Sequence, residues 1–187
     1  MPTSNPSPNG VTPTSNSPTN AGFTLLEVMI VVVLIALLAA IGVPVLMGFL
    51  DQRKVNATQF LVYQALRTTQ QDATQQRQSR QFSLRERDGH LEWASHPVTV
   101  PSAKVSQWIA LTDGVVLAPE DNTLLRKSGV YYVRFDLKGN VNTRLGRITL
   151  VGTGGRLSHR CVIVSTLIGA LRQGQGHVKP KDDRYCY

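Results

Sequence analysis

NAGFTLLEVMIVVVLIALLAAIGVPVLMGFL, residues 20–50, decides the fold. The apolar run extends from Phe23 to Leu50, and Glu27 is its only charged residue. About 20 apolar residues cross a bilayer as an α-helix, so this run is long enough with some to spare. The core helix of a soluble domain needs no such continuous run. A secretory signal peptide has a shorter apolar stretch, about 7–15 residues, behind a basic start. No Lys or Arg precedes this run, so the span reads as retained rather than discarded. Pro44 lies inside it between Gly42 and Gly48. It lacks a backbone donor and crowds the carbonyl of Ala40, so a kink or loosened turn is expected there.

The helical signal continues past Leu50 as DQRKVNATQFLVYQALRTTQQDATQQRQ, residues 51–78, with no Gly or Pro between 49 and 78. Val55, Val62 and Leu66 recur at helical spacing, with Leu61 and Ala65 widening the stripe. The reading is one helix to about Gln78, with a membrane half over 23–50 and an amphipathic half over 51–78. The Gln/Thr run from Thr68 to Gln78 reads as a solvated helix end.

The amphipathic half needs a covering partner, and residues 79–187 supply one. RQFSLRE, HLEWAS, QWIALTDGVVLAPE, GVYYVRFDLKGNV, GRITLVG and HRCVIVSTL are short, rich in Val, Ile, Thr and aromatics, and separated by Asp-Gly, Lys-Gly-Asn or Gly-Gly turns. They predict five or six antiparallel strands in a meander sheet, with Trp93 and Trp108 in its core. In YVRFDL, Val133, Phe135 and Leu137 share one face while Tyr132, Arg134 and Asp136 share the other. The fold class is therefore α+β: a long N-terminal helix packed on an antiparallel β-sheet head. Residues 1–22 are Pro, Ser, Thr and Asn with no charge and only Met1, Val11 and Ala21 apolar, which predicts a disordered segment.

Charge is unevenly spread. Phe23 to Asp121 holds 8 Lys/Arg against 9 Asp/Glu, whereas Asn122 to Tyr187 holds 12 against 3. The last third thus carries the whole positive excess, either as a solvated surface or as one that meets nucleic acid or acidic lipid. Arg126, Lys127, Arg156, Arg160, Arg172, Lys179, Lys181 and Arg184 are the candidate anion contacts. The two cysteines, Cys161 and Cys186, would be free thiols in the cytosol. In an exported head they would pair, closing a 25-residue loop worth roughly 3 kcal/mol. His90, His96, His159 and His177 have no ligand-like spacing with these cysteines, so no metal is expected. VGTGGR (151–156) lacks the Lys-Ser/Thr of a phosphate-binding loop and reads as a hairpin turn. Ser165 and His159 make no catalytic pair. Nothing here points to an enzyme or a cofactor.

Gly22, Phe23, Thr24, Leu25, Leu26, Glu27 and the apolar residues after them resemble the start of type IV prepilins and type II secretion pseudopilins. Glu27 is the fifth residue after Gly22 and Pro44 the twenty-second, as in that family. The resemblance implies that residues 1–22 are a leader, that prepilin peptidase cuts between Gly22 and Phe23, and that Phe23 is N-methylated. It also implies a single-pass protein of the bacterial inner membrane with a periplasmic head, handed by an inner-membrane assembly platform to a pilus or pseudopilus. There Glu27 would meet the new amino terminus of Phe23 in an adjacent subunit, and Pro44 would belong to the same assembly helix. An unpaired carboxylate near mid-membrane costs roughly 2.5–3.5 kcal/mol on insertion scales, so that pairing would reward one axial register. Arg53 and Lys54 at the distal end of the span pull toward the opposite orientation; the cleavage motif decides for a periplasmic head.

GRITLVG, the Gly-rich turn and RCVIVSTLIGALRQG are similar to the end of the GspH/FimT group of minor pilins and pseudopilins. Some of these bind DNA through a terminal glycine–arginine–any–arginine motif. At the matching place stand Gly169, Ala170, Leu171 and Arg172, with one arginine instead of two. A single guanidinium holds phosphate less firmly than a pair. The resemblance implies a structural subunit first and a DNA-binding minor pilin as the alternative. It leaves secretion system and pilus undivided.

Overall fold

The computed structural model describes residues 22–154, 159–181 and 184–187, with backbone only for Val178, Pro180, Lys181 and Arg184. The leader up to residue 21 and Arg156 lie outside the described residues. The chain forms two compact units, one ending at Ile41 and one running from Gly42 to Tyr187.

Helix α1, Leu25–Gln75, contributes to both units. Thr24 starts it: its side-chain oxygen accepts the Glu27 N–H at 3.2 Å and its carbonyl accepts the Val28 N–H at 3.2 Å. In the first unit every residue of the helix is exposed, Leu25 and Ile35 as much as Leu38. It is the one helix among the described residues long and apolar enough to cross a membrane. The helix passes through Pro44 unbroken; the missing N–H there leaves the Ala40 carbonyl without its usual donor but does not end the helix.

The helix ends three residues before the expected Gln78. Arg77 takes a left-handed conformation (φ 47°), while the Gln78 N–H reaches the Ala73 carbonyl at 3.1 Å and the Arg77 N–H the Thr74 carbonyl at 3.4 Å. This is a Schellman stop with Arg in the place usually held by Gly, so the sequence carries no punctuation for it.

Among the described residues the second unit adds ten strands: β1 (Arg80–Arg87), β2 (His90–Pro97), β3 (Ile109–Ala110), β4 (Val115–Leu117), β5 (Leu125–Lys127), β6 (Val130–Phe135), β7 (Gly146–Gly152), β8 (His159–Val164), β9 (Leu171–Lys181) and β10 (Arg184–Cys186). They form two antiparallel sheets, ordered β3-β2-β1-β6-β5 and β10-β9-β8-β7-β4. The expected α+β class holds, with the second-unit part of a long helix packed on antiparallel sheet. The single meander of five or six strands does not.

The reason lies in QWIALTDGVVLAPE. Asp113-Gly114, with Gly114 at φ 80°, splits it into β3, which joins β2, and β4, which crosses to pair with β7. β6 then returns to pair with β1. β1 and β2 are joined by Asp88-Gly89, both at positive φ (53° and 79°), the two-residue turn whose twist suits a hairpin.

One core joins both sheets to the second-unit part of α1. Val55, Val62, Ala65, Leu66 and Ala73 of the helix meet Phe82, Leu84, Val133 and Phe135 of the first sheet and Ile148, Leu150, Val162 and Val164 of the second. Burying each large side chain is worth about 1.5–3 kcal/mol. The buried stripe differs from the sequence reading in two ways. Leu61 is exposed, and polar Thr58, Gln59 and Thr69 lie inside it. The two threonines spend their hydroxyls on the carbonyls one turn back, Lys54 and Ala65, so they present mainly their methyl groups. Val133 and Phe135 are buried as expected, whereas Leu137 lies past the end of β6 and is exposed. Trp93 stacks on Phe82 against the core. Trp108 lies outside the core, half-buried beneath the Arg85 guanidinium at 3.8 Å.

Candidate functional site

In the first unit the residues expected to be processed lie at the start of α1. Gly22 and Phe23 precede the helix and are exposed, and Thr24 caps it. Thr24 and Glu27 stand in the spacing of a capping box, with Glu27 as the acid of the first turn. Its negative charge sits at the positive end of the helix macrodipole. No cation pairs with Glu27 among the described residues. Sequence reading placed Glu27 by its oddity in an apolar run. The motif includes Thr24 too, and the Thr-x-x-Glu spacing is the signal for its capping role.

In the second unit the cysteines are joined. The Cys161–Cys186 disulfide links β8 to β10 across the intervening β9, with its Cα atoms 6.1 Å apart. Gly174 on β9 lies directly opposite Cys161, and a Cβ there would stand 2.8 Å from the Cys161 sulfur. The glycine leaves the path over the strand clear. His177 stacks on the terminal Tyr187 ring at 3.9 Å, and His159 on Tyr185 at 6.4 Å. Leu171–Lys181 and Arg184–Cys186, next to this bridge, are themselves strands.

The candidate anion contacts divide between the sheets. Arg126 and Lys127 are exposed on β5, the edge of the first sheet, with the Arg126 guanidinium 5.3 Å from the Tyr131 ring centre. Arg160, Arg172 and Lys179 belong to β8 and β9 of the second. Arg160 is already committed: its Nε donates to Asn56 Oδ1 on the helix. Arg172 and Lys179 are exposed and make no ion pair among the described residues. The Arg156 site, and the side chains of Lys181 and Arg184, lie outside the described residues.

Several polar side chains that periodicity cannot flag organise this unit. Gln59 Nε2 donates to the carbonyls of Cys161 (2.8 Å) and Gly174 (2.7 Å), clamping β8 and β9 to the helix. Gln70 Nε2 does the same for Gly139 (2.8 Å) and Gly169 (3.2 Å). The Gln/Thr end of the helix is therefore partly a contact surface rather than wholly solvated. Arg147 and Asp121 form a buried ion pair; Arg147 Nε also donates to the Asp121 carbonyl at 2.9 Å, and Thr149 Oγ1 donates to Asp121 Oδ2 at 3.0 Å. Asp51 is buried against Gly152 and Gly154 of the Gly-rich turn, where a side chain would overlap its carboxylate. On the first sheet, His96 Nδ1 donates to the Pro97 carbonyl (3.0 Å), which leaves Nε2 to accept from Ser83 Oγ (2.9 Å). Burial holds the His96 pKa below its ordinary value of 6.5; Arg80 and Arg134 add to the shift, against the Pro97 and Val100 backbone. Among the described residues no group of three His, Cys, Asp or Glu converges as a metal site.

A family model described as the prokaryotic N-terminal methylation motif matches residues 18–43. Among solved structures, the type IV minor pilin FimU of Pseudomonas aeruginosa is similar at 13% identity and TM-score 0.47, covering 66% of this chain and 90% of that one. The minor pseudopilin EpsH from the type 2 secretion system of Vibrio cholerae is similar at 16% identity and TM-score 0.43, covering 64% and 95%. No curated protein matches the sequence. The chain carries the methylation motif on a capped apolar helix.

Proposed function

We propose that this chain is a minor pilin or pseudopilin subunit of the GspH/FimT kind, serving a type II secretion or type IV pilus machine. The observation that carries the reading is the coincidence of the methylation motif at 18–43 with a helix that begins, capped by Thr24, just after Phe23. Prepilin peptidase cuts after Gly22 and methylates the Phe23 amine. The chain then sits in the bacterial inner membrane with its head periplasmic, and the assembly platform passes it to a filament of other pilin-type subunits. The Cys161–Cys186 disulfide suits that oxidising compartment.

Glu27 then acts as a register mark. Outside a filament it is an acid among lipid tails; docked, it meets the Phe23 amine of the neighbouring subunit, and a slipped subunit leaves both charges unpaired. Pro44 removes one hydrogen bond from the helix that must pack in that filament. The test is Glu27→Ala in cells: the protein should be cleaved, oxidised and membrane-inserted as before, yet absent from sheared filaments. Normal incorporation overturns the reading.

Capture of DNA by the head is a second reading, favoured by Arg172 and Lys179 on β9, which are exposed and make no ion pair among the described residues. It predicts DNA affinity that falls steeply with salt, and a shallower slope in the Arg172→Gln, Lys179→Gln double variant. An unchanged slope removes β9 from consideration.

A further inference from the structure

The face of the first sheet turned away from the core holds a cleft of about 580 Å³. Residues 98–103 roof it, and the turn at 127–130 between β5 and β6 forms its far wall. The roof is fixed: the Val98 N–H donates to the Ser79 carbonyl at 3.1 Å, and Ser102 Oγ accepts from Gln81 Nε2 at 2.9 Å. Four cations line the cleft, Arg85, Arg87, Lys127 and Arg134, against one carboxylate, Glu86. Two of the four are answered locally. Arg85 pairs with Glu92 at 2.7 Å, and Arg87 lies 3.6 Å from Asp88.

Arg134 is different. It is half-buried and has no carboxylate partner among the described residues. Its Nε donates to Gln81 Oε1 at 2.8 Å, the only side-chain hydrogen bond it makes among the described residues. Gln81 is itself oriented, since its Nε2 donates to both Ser83 and Ser102 at 2.9 Å. The Tyr132 ring centre lies 5.2 Å from the guanidinium carbon. A neutral scaffold thus holds one edge of the guanidinium and leaves both terminal nitrogens without an acceptor. A guanidinium held this way presents a planar, forked pair of donors, the geometry that matches a carboxylate bidentately. Lys127 at the turn adds a second charge, and Val98, Val130 and Pro101 supply apolar wall. Two uncompensated cations beside an acid cannot follow a phosphate backbone, which takes a longer run of contacts.

We propose that this cleft is a receptor for a single carboxylate group on an otherwise apolar ligand, with Arg134 as the bidentate anchor and Lys127 as the second cation. The carboxylate has two sources, a free small acid or a Glu side chain on a polypeptide, and two probes separate them: isovalerate, and the capped tripeptide Val-Glu-Val.

The test is calorimetric titration of the detergent-solubilised full chain with each probe, alongside inorganic phosphate and the capped tripeptide Val-Gln-Val. Binding of either acid in the millimolar range or tighter, with neither phosphate nor the Gln peptide matching it, is the expected result. Arg134→Gln should weaken it about tenfold or more, and Arg134→Lys less, because charge survives without the fork. Arg172→Gln, on the other sheet, should leave it unchanged. If Arg134→Gln loses the native circular dichroism spectrum, Lys127→Gln takes its place with a several-fold loss. The proposal fails if neither acid binds, if phosphate or the Gln peptide binds equally well, or if the Arg134 and Lys127 variants bind like the wild type. None of these outcomes bears on filament incorporation, so the assembly reading stands or falls separately.

Discussion

The two sheets of the second unit reach the same helix by different means. The first presents Phe82, Leu84, Val133 and Phe135, all wholly buried, and its hairpins close through two-residue turns at Asp88-Gly89 and Ser128-Gly129. Packing and local turns dominate there, with polar contacts such as Arg85–Glu92 between β1 and β2 and Arg80 to Gln76 of the helix added to them. The second also presents apolar side chains, Ile148, Leu150, Val162 and Val164, but it is tied down by polar devices as well: the Gln59 clamp, the Arg147–Asp121 pair and the disulfide. Apolar packing resists in proportion to area; a polar tie resists until one partner is lost and then costs the whole desolvation of the other. The second sheet should therefore fail at single points, and the first by degrees.

The largest expected effect comes from breaking the buried pair. Asp121→Ala leaves the Arg147 guanidinium buried without its acid and should cost about 3–5 kcal/mol in urea unfolding. Replacing both, Asp121→Leu with Arg147→Met, should recover most of that loss. A double variant no better than the single one would mean that the tie is not electrostatic.

Next comes the disulfide. Cys186→Ser should cost about 2–4 kcal/mol. Hydrogen exchange should rise in β9 and β10 and stay unchanged in β1 and β2. Uniform exchange across both sheets would erase the distinction between them.

The smallest effect belongs to the first sheet. The folded-state pKa of His96 lies below the unfolded value, so the unfolded chain binds the proton more readily. The contribution of this group is present above pH 6.5 and is lost as pH falls from there toward the folded pKa. His96→Gln should flatten the fall in melting temperature below pH 6.5, with little change at pH 8. An acid limb identical in both proteins would assign the titration elsewhere.

What the sequence discloses follows from the same contrast. Features set by periodicity and composition are legible: the apolar run, the helix beyond it, the strands from Arg80 to Val164 other than the three-residue β5, and the alternation of Val133 with Arg134. Features set by single polar contacts are not. Gln59 and Gln70 look like ordinary helix-surface residues until Cys161, Gly139 and Gly169 are placed opposite them. β9 was hidden because LRQGQGHVKPK contains two glycines and a proline, poor strand residues; they are tolerated where a disulfide must pass over the strand. The sheet boundary at Asp113-Gly114 looked like one more hairpin turn, since a turn signal says that the chain bends and not which neighbour it joins. Glu27 is legible as an anomaly in an apolar run, whereas the cap at Thr24 is established by the bond its side chain accepts from the Glu27 N–H.

β10 has a further consequence. It is three residues long, yet it lies along the outer side of the eleven-residue β9, whose backbone groups would otherwise face solvent as an open row. Such a row invites another chain to add itself. The disulfide fastens this closing strand, so the flank of β9 is held covered only once an oxidant has joined Cys186 to Cys161. A reduced molecule would offer its neighbours a sticky flank, which makes thiol oxidation a safeguard against premature clumping as well as a source of rigidity.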